Sequence, residues 1–322
     1  MLNKNRTWIL SVILVLVLVL YLIIEYSQDT EKNYRTQLPM LDTAMITKVV
    51  VSPPKNVEKI TLLKENNFWQ VQKGDKKYHA DAGRVESLIA SLSKTDVKSV
   101  VSTSAKNWDK FNINYDLGTR IRFEEPDNSF NDIVIGKFDY IQPKNQSPDP
   151  YGRQPQGEML SYVRVGDEQS VYAIDGMIAL GLGKTINDYR DKTILNIEKE
   201  SMDTIKFTYP DRANFALINE NEKWIFQDGR AADSASVAKY INNISRLRGK
   251  DFFNSEILSD QVKASLLITY SDAKTVEIKM YMSDTSNVYI YSSQNPTNIF
   301  NDRDKKLKGK LFVSEDHFAE NK

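Results

Sequence analysis

The residues of this 322-residue chain best suited to chemistry each lack their usual companions. Gly183-Lys184-Thr185 ends like a phosphate-binding loop, whose glycine-rich backbone curls round phosphate groups. Such a loop needs a glycine five residues ahead of Gly183, and that position is Ile178. The Ser-x-x-Lys tetrads at Ser91 to Lys94, Ser236 to Lys239 and Ser271 to Lys274 have the spacing that sets an amine beside a serine nucleophile at a helix start. The companion Ser-Asp-Asn and Lys-Thr-Gly elements are missing, and the apolar periodicity puts Ser91 at a helix end, away from the favourable amide groups. His79 and His317 are the only histidines and there is no cysteine. A mainly imidazole or thiolate metal site, a thiol nucleophile and a disulfide framework are therefore all unavailable. Asp302 and Asp304 lack the further spaced oxygen ligands and turn glycine that calcium demands. Lys305-Lys306-Leu307-Lys308 reads as solvated surface. The inventory predicts no catalysis, no cofactor and no metal.

A binding surface is the other chemistry on offer. Tyr140, Tyr151 and Tyr162 surround a loop from Ile141 to Glu158 that carries Pro143, Pro148, Pro150 and Pro155. Proline lacks the ladder donor, so this loop is no central strand. These tyrosines, taken as exposed, are the candidate surface for a partner or for an envelope glycan or peptide.

The elements that must position such a surface occur twice. Glu65, Asn66, Trp69, Gln72 and Gly74 recur 155 positions later as Glu220, Asn221, Trp224, Gln227 and Gly229. The match then resumes at an offset of 152, where Ala80, Asp81, Val85, Ile89 and Ser93 return as Ala232, Asp233, Val237, Ile241 and Ser245. A period this long is a duplicated domain, since solenoid units run about 20–50 residues. In each copy a polar turn joins two β-rich runs, as in a hairpin. An Asp suited to cap a helix follows, then apolar residues at helical spacing: Val85, Leu88, Ile89, Leu92, and Val237, Tyr240, Ile241, Ile244, Leu247. The unit is a hairpin with a helix laid on it, and its Trp is expected in the core beneath that helix. The proline loop is an insertion in the first copy, because the second crosses the same hairpin with Ser283 to Asn287 alone.

Lys plus Arg equals Asp plus Glu at 43 each, so no global field favours nucleic acid. Trp8 to Ile24 is uncharged, and with Thr7 it makes 18 residues, about 27 Å of helix and close to a hydrocarbon core in thickness. Lys4 and Arg6 precede it, while Glu25 and Asp29 follow. The positive-inside rule then puts the N-terminus in the cytoplasm and the rest outside. No small-x-small site follows the run, which favours an uncleaved anchor over a cleavable signal. The domain division expected is a cytoplasmic tip and anchor at 1–25, a linker at 26–45, a first repeat domain at 46–197 and a second at 198–322.

Certain residues carry a family resemblance: Trp69-Gln70-Val71, Gly74, Ala80-Asp81, the Val85 to Leu92 helix, Ile135-Gly136, Tyr162-Val163-Arg164, Val171-Tyr172 and Tyr189-Arg190-Asp191-Lys192. The chain resembles the bacterial domain of unknown function numbered 4340 over most of its length after residue 45. The second copy departs from the pattern, with Ile278-Lys279 in place of Ile135-Gly136. Members of that family are often encoded beside ABC-2-type transporter components related to those of gliding bacteria. The resemblance implies an extracytoplasmic accessory subunit of such membrane partners, with no catalytic residue to carry over. Altogether the sequence predicts an α+β protein of the bacterial inner membrane. One N-terminal transmembrane helix is followed by two duplicated domains, each a mostly antiparallel sheet with a packed helix. The expected role is a non-catalytic accessory or scaffold, with an envelope glycan- or peptide-binding module as the alternative.

Overall fold

The computed structural model describes residues 14–19, 34–55, 57–142, 157–255, 262–271, 273–283 and 287–320. Residues 14–19 are helical. The rest of the expected anchor, Tyr151 and the four prolines of the loop lie outside the described residues. Among the described residues no helix is long and apolar enough to cross a membrane.

Two antiparallel sheets repeat one topology. In the first half β1 (Lys48–Ser52), β2 (Ile60–Glu65), β3 (Phe68–Lys73), β4 (Lys76–His79), β5 (Val97–Ser102), β6 (Thr119–Glu124), β7 (Phe130–Ile141), β8 (Glu158–Val165) and β9 (Val171–Asp175) run in the order β4-β3-β2-β1-β6-β7-β8-β9-β5. Next, β10 (Thr193–Asn196) pairs with β14 (Arg246–Arg248) as a separate ribbon. The second half has β11 (Met202–Thr208), β12 (Phe215–Glu220), β13 (Lys223–Phe226), β15 (Asp251–Phe253), β16 (Val262–Tyr270), β17 (Lys274–Met282), β18 (Val288–Ser292) and β19 (Ile299–Asn301), ordered β13-β12-β11-β16-β17-β18-β19-β15. Without β4 the two orders are the same. Register agrees as well: Lys64 faces Trp69 as Asn219 faces Trp224. The hairpin turns match in backbone, since Asn66-Asn67 and Asn221-Glu222 all have positive φ, the type I′ geometry that fits strand twist.

The helices form as their spacing dictates, except that the second ends before Leu247, expected on its apolar face and found instead in β14. In α1 (Ala82–Leu92) the buried residues are Val85, Leu88, Ile89 and Leu92; in α2 (Ser234–Ile244) they are Val237, Tyr240, Ile241 and Ile244. Each starts at an Asp whose carboxylate accepts a backbone N–H, from Arg84 at 3.2 Å and from Ser236 at 2.7 Å, which satisfies an otherwise unpaired donor. Trp69 is buried in the core that α1 covers. Trp224 is only half-buried, packed at the edge of the second core, so the two tryptophans are not equal in role.

Two expected boundaries move. Within the expected linker, Leu38 and Leu41 are buried in the first core, and the Leu38 amide donates to the Thr95 carbonyl at 2.8 Å. Apolar side chains four residues or fewer apart draw this stretch onto the sheet. Core membership passes from Tyr189 in the first half to Ile194 in the second, a few residues ahead of 197/198. The reason is β10, whose Ile194 and Leu195 pack with the second core.

Each half is closed by a segment after its last central strand, a part of the repeat that residue identities do not reveal. The Asp81 amide donates to the Tyr189 carbonyl at 2.8 Å and the Asp233 amide to the Phe318 carbonyl at 2.9 Å. Residues 176–190 are thus the counterpart of 302–319. The former holds short helical turns at Ile178–Gly181 and Ile186–Asp188. The latter holds α3 (Lys306–Leu311) and a turn at Glu315–Phe318.

Between the halves sits Arg190, 1 % exposed. Its guanidinium lies 3.9 Å from the ring centroids of both Tyr78 in the first half and Phe252 in the second. It donates to the side-chain carbonyls of Asn298 at 2.7 Å, Asn254 at 2.6 Å and Asn187 at 3.3 Å. Burial pushes its pKa down to about 10. Arg248 adds a cross-half ion pair to Asp81 at 2.8 Å.

Candidate functional site

The face of the first sheet away from α1 carries a second layer. Residues 105–113 cross over it, and Phe111 and Ile113 join Val134, Leu160, Tyr162 and Val171 in a small separate core. A Cβ on Gly136 would meet the Phe111 carbonyl oxygen at 2.1 Å, so only glycine admits this crossing. Arg164, fully buried, donates from Nε to the Ile113 carbonyl at 3.3 Å and is flanked by the rings of Trp108 (4.2 Å) and Tyr115 (4.9 Å). Beside it Asp132 takes hydrogen bonds from both Arg120 and Arg122. Burial opposes its ionisation, but these two donors hold its carboxyl below the usual range.

The three tyrosines expected to form one exposed surface are not alike. Tyr140 is half exposed near the end of β7. Tyr162 is a correction: it is buried, edge-on to Phe111 at 4.7 Å, with its hydroxyl donating to Asp139 at 2.9 Å. Alternation along β8 turns it under the 105–113 crossing, a layer that local pattern does not predict. Burial, then the Asp139 carboxylate, push its pKa up to about 12. Tyr151 lies outside the described residues.

Several residues of the motifs weighed for chemistry make contacts within the fold. The amides of Lys184 and Thr185, which would face phosphate in a nucleotide loop, both donate at 2.9 Å to the Asp188 carboxylate. These donors lower the Asp188 pKa against the effect of burial. A Cβ on Gly183 would meet the Tyr189 ring at 2.4 Å, so this glycine serves close packing. The Ser91 hydroxyl donates to the Leu88 carbonyl at 2.9 Å. Asp302 accepts the amides of Leu307 and Lys308, and Asp304 pairs with Lys306 at 2.9 Å. Among the described residues no group of three or more His, Asp or Glu side chains is placed to hold a metal ion.

A groove of about 580 Å³ lies between α1 and the closing segment of the first half. Its wall on α1 is Arg84, Ser87, Leu88 and Ser91; opposite stand Met177, Ile178, Gly181 and Leu182, with Tyr189 and Asp81 at one end. The Arg84 guanidinium sits 5.5 Å from the Tyr189 ring centroid and donates to the Gly181 carbonyl at 3.3 Å. Met177 at 40 % and Leu180 at 63 % exposure carry the apolar character outward. The groove pairs an apolar floor with a few hydrogen-bonding groups on its rim, the profile of a binding site.

The second half explains why the groove exists. Leu88 corresponds to Tyr240, which is 2 % exposed and donates from its hydroxyl to the Leu311 carbonyl at 2.7 Å. There α3 lies directly on α2, and Leu311, Phe312 and Phe318 are buried in the second core. In the first half the turn at Ile178–Gly181 lies against β7 instead. Sequence reasoning missed this site, although the Leu88/Tyr240 difference within the repeat was its visible signal.

The profile of the family described as "Domain of unknown function (DUF4340)" matches residues 69–266. No curated protein and no solved structure matches the chain. The motif residues quoted for the family do structural work here: Gly136 and Arg164 hold the crossing, Tyr189 closes α1, and Arg190 joins the halves. With its profile covering more than half of the sequence, this chain belongs to the DUF4340 family.

Proposed function

We propose that this protein is a non-catalytic, membrane-anchored accessory subunit whose duplicated body docks onto membrane partners outside the cytoplasm. The partners implied by the family resemblance are ABC-2-type transporter or gliding-type components. The observation that carries this reading is the asymmetry of the repeat. One helix is sealed by the chain's own α3, while its twin is left with an apolar groove that has the makings of an interface. The uncharged run from Trp8 to Ile24, preceded by Lys4 and Arg6, supports the single span and its orientation. Purification of the full chain from its native membrane in mild detergent tests the proposal. Transporter subunits are expected to travel with it in fixed proportion, and a lone monomer would count against docking.

A further inference from the structure

The repeat contains its own account of what fits the groove. On the second half, the outer side of the helix is covered by a short amphipathic helix, α3, which presents Leu307, Leu311 and then Phe312 to the core. Its last turn is held by a hydroxyl from the helix beneath, Tyr240 to the Leu311 carbonyl. The first half has the same helix with the same buried positions, and the covering turn has been drawn aside toward β7. What remains is an apolar floor at Leu88 and Leu182 with Arg84 and Ser87 at the rim. Those rim groups are donors, suited to the free carbonyls at the end of a helix.

We propose that the groove receives a short amphipathic helix from a partner protein, seated on Leu88 and Leu182 as α3 is seated on the second half. Recognition would use two bulky apolar side chains one helical turn apart, the helix-in-groove mode, with Arg84 and Ser87 donating to the carbonyls of its last turn. This rests on the docking reading and names the chemistry of the docked element.

The probe is a fluorescent peptide of Lys305 to Ala319, the molecule's own version of that element, titrated against the full chain in detergent. Saturable binding is expected. Leu88→Tyr, which rebuilds the second half's filler in the first, should weaken it at least about tenfold, as loss of a central anchor site does. Ser87→Arg, on the exposed side of α1, should weaken it too and guards against a folding defect in the first variant. Both should melt like the parent chain. A peptide that displaces α3 instead would bind both variants unchanged, and that result overturns the proposal. So does a failure to saturate at about millimolar peptide. A concentration-dependent dimer abolished by Leu88→Tyr would assign the groove to a second copy and likewise overturn it. Co-purified subunits that survive both variants would overturn the helix-in-groove proposal while leaving the docking reading intact. Peptide binding without any co-purified subunit would do the reverse.

Discussion

The two halves share a topology but not a filling. In the second, Phe207 stacks on Phe215 at 4.4 Å, Tyr240 meets Phe318 edge-on at 5.2 Å, and Phe226 completes the cluster. The corresponding first-half residues are Val51, Ile60, Leu88, Tyr189 and Val71, nearly all aliphatic. Aromatic pairs add roughly 0.5–1.5 kcal/mol beyond the area they bury. More to the point, they take up volume, and the smaller residues of the first half leave room beside α1. The lesson is that a duplicated body can keep its hydrogen-bond pattern while its side-chain volumes drift, and that the drift, rather than any motif, opens a surface.

This comparison can be broken most forcefully in the cores. Phe207→Ala should destabilise by about 3–5 kcal/mol, as for a large aromatic lost from a well-filled core. Val51→Ala should cost about 2 kcal/mol, from roughly 0.8 kcal/mol per buried methylene plus a small cavity. Urea unfolding of each variant measures the difference. Equal losses would mean that the halves are filled alike.

A slightly smaller effect is expected where the halves meet. Arg190→Ala removes the group between Tyr78 and Phe252 and leaves the Asn298 and Asn254 carbonyls without their donor. Each buried group left unpaired costs about 1–3 kcal/mol, so a loss of about 2–4 kcal/mol is expected. Calorimetry should then show a broader transition or two resolved ones, because the junction couples the two cores less strongly.

The outer faces offer a reciprocal exchange. Gly136→Lys places a side chain where the Phe111 carbonyl now sits and should cost about 1–3 kcal/mol by overpacking. Proteolysis between residues 105 and 113 should become faster. The opposite change, Lys279→Gly, removes a half-buried side chain paired with Glu277 at 2.8 Å, and should cost no more than about 1 kcal/mol for glycine in a strand. The apparent decay of the family motif in the second copy is thus the removal of a constraint. Lys279 keeps a half-buried side chain at the position of Gly136, so glycine is not required there.

Alkali reads the same layer. Tyr162 has its pKa raised to about 12 in the fold, against about 10 in an unfolded chain. Its contribution is fully present below pH 10. It is lost as pH climbs toward 12, because the unfolded chain gives up the proton while the folded one retains it. Tyr162→Phe should flatten the fall of stability across that window by up to about one bound proton, measured as urea midpoints from pH 9 to 11.5. An unchanged slope would place the phenol in water.

Much of this was legible from spacing alone. The caps at Asp81 and Asp233, both helix faces, the Trp hairpins and most central strands follow from patterns a few residues wide. Strand edges such as β5 and β15 were not legible, because their partners lie far along the chain and their own alternation is weak. The closing segments were hidden because Tyr189 and Phe318 correspond through backbone hydrogen bonds to Asp81 and Asp233, while the residues around them share almost no identity. Exposure of Tyr162 was misjudged because a covering layer is a tertiary fact. The groove was invisible for a related reason: it consists of missing volume, and periodicity records which positions are apolar without recording how large they are.

The smallest expected effect tests the repeat at its most conspicuous residue. Trp69 is 3 % exposed, and its indole Nε1 is buried with no acceptor. Trp69→Phe therefore trades lost packing volume against relief of an unpaired donor, which by itself costs about 1–3 kcal/mol, and the net change should fall within about 1 kcal/mol of zero. Trp224 sits at the edge of its core, where Trp224→Phe loses area but relieves no such donor, so a small net loss of about 0.5–1 kcal/mol is expected. The informative quantity is the sign of the difference. If Trp69→Phe proves the more costly of the two by about 2 kcal/mol or more, the first tryptophan is anchored through its nitrogen. The halves would then differ at the hairpin as well as at the groove.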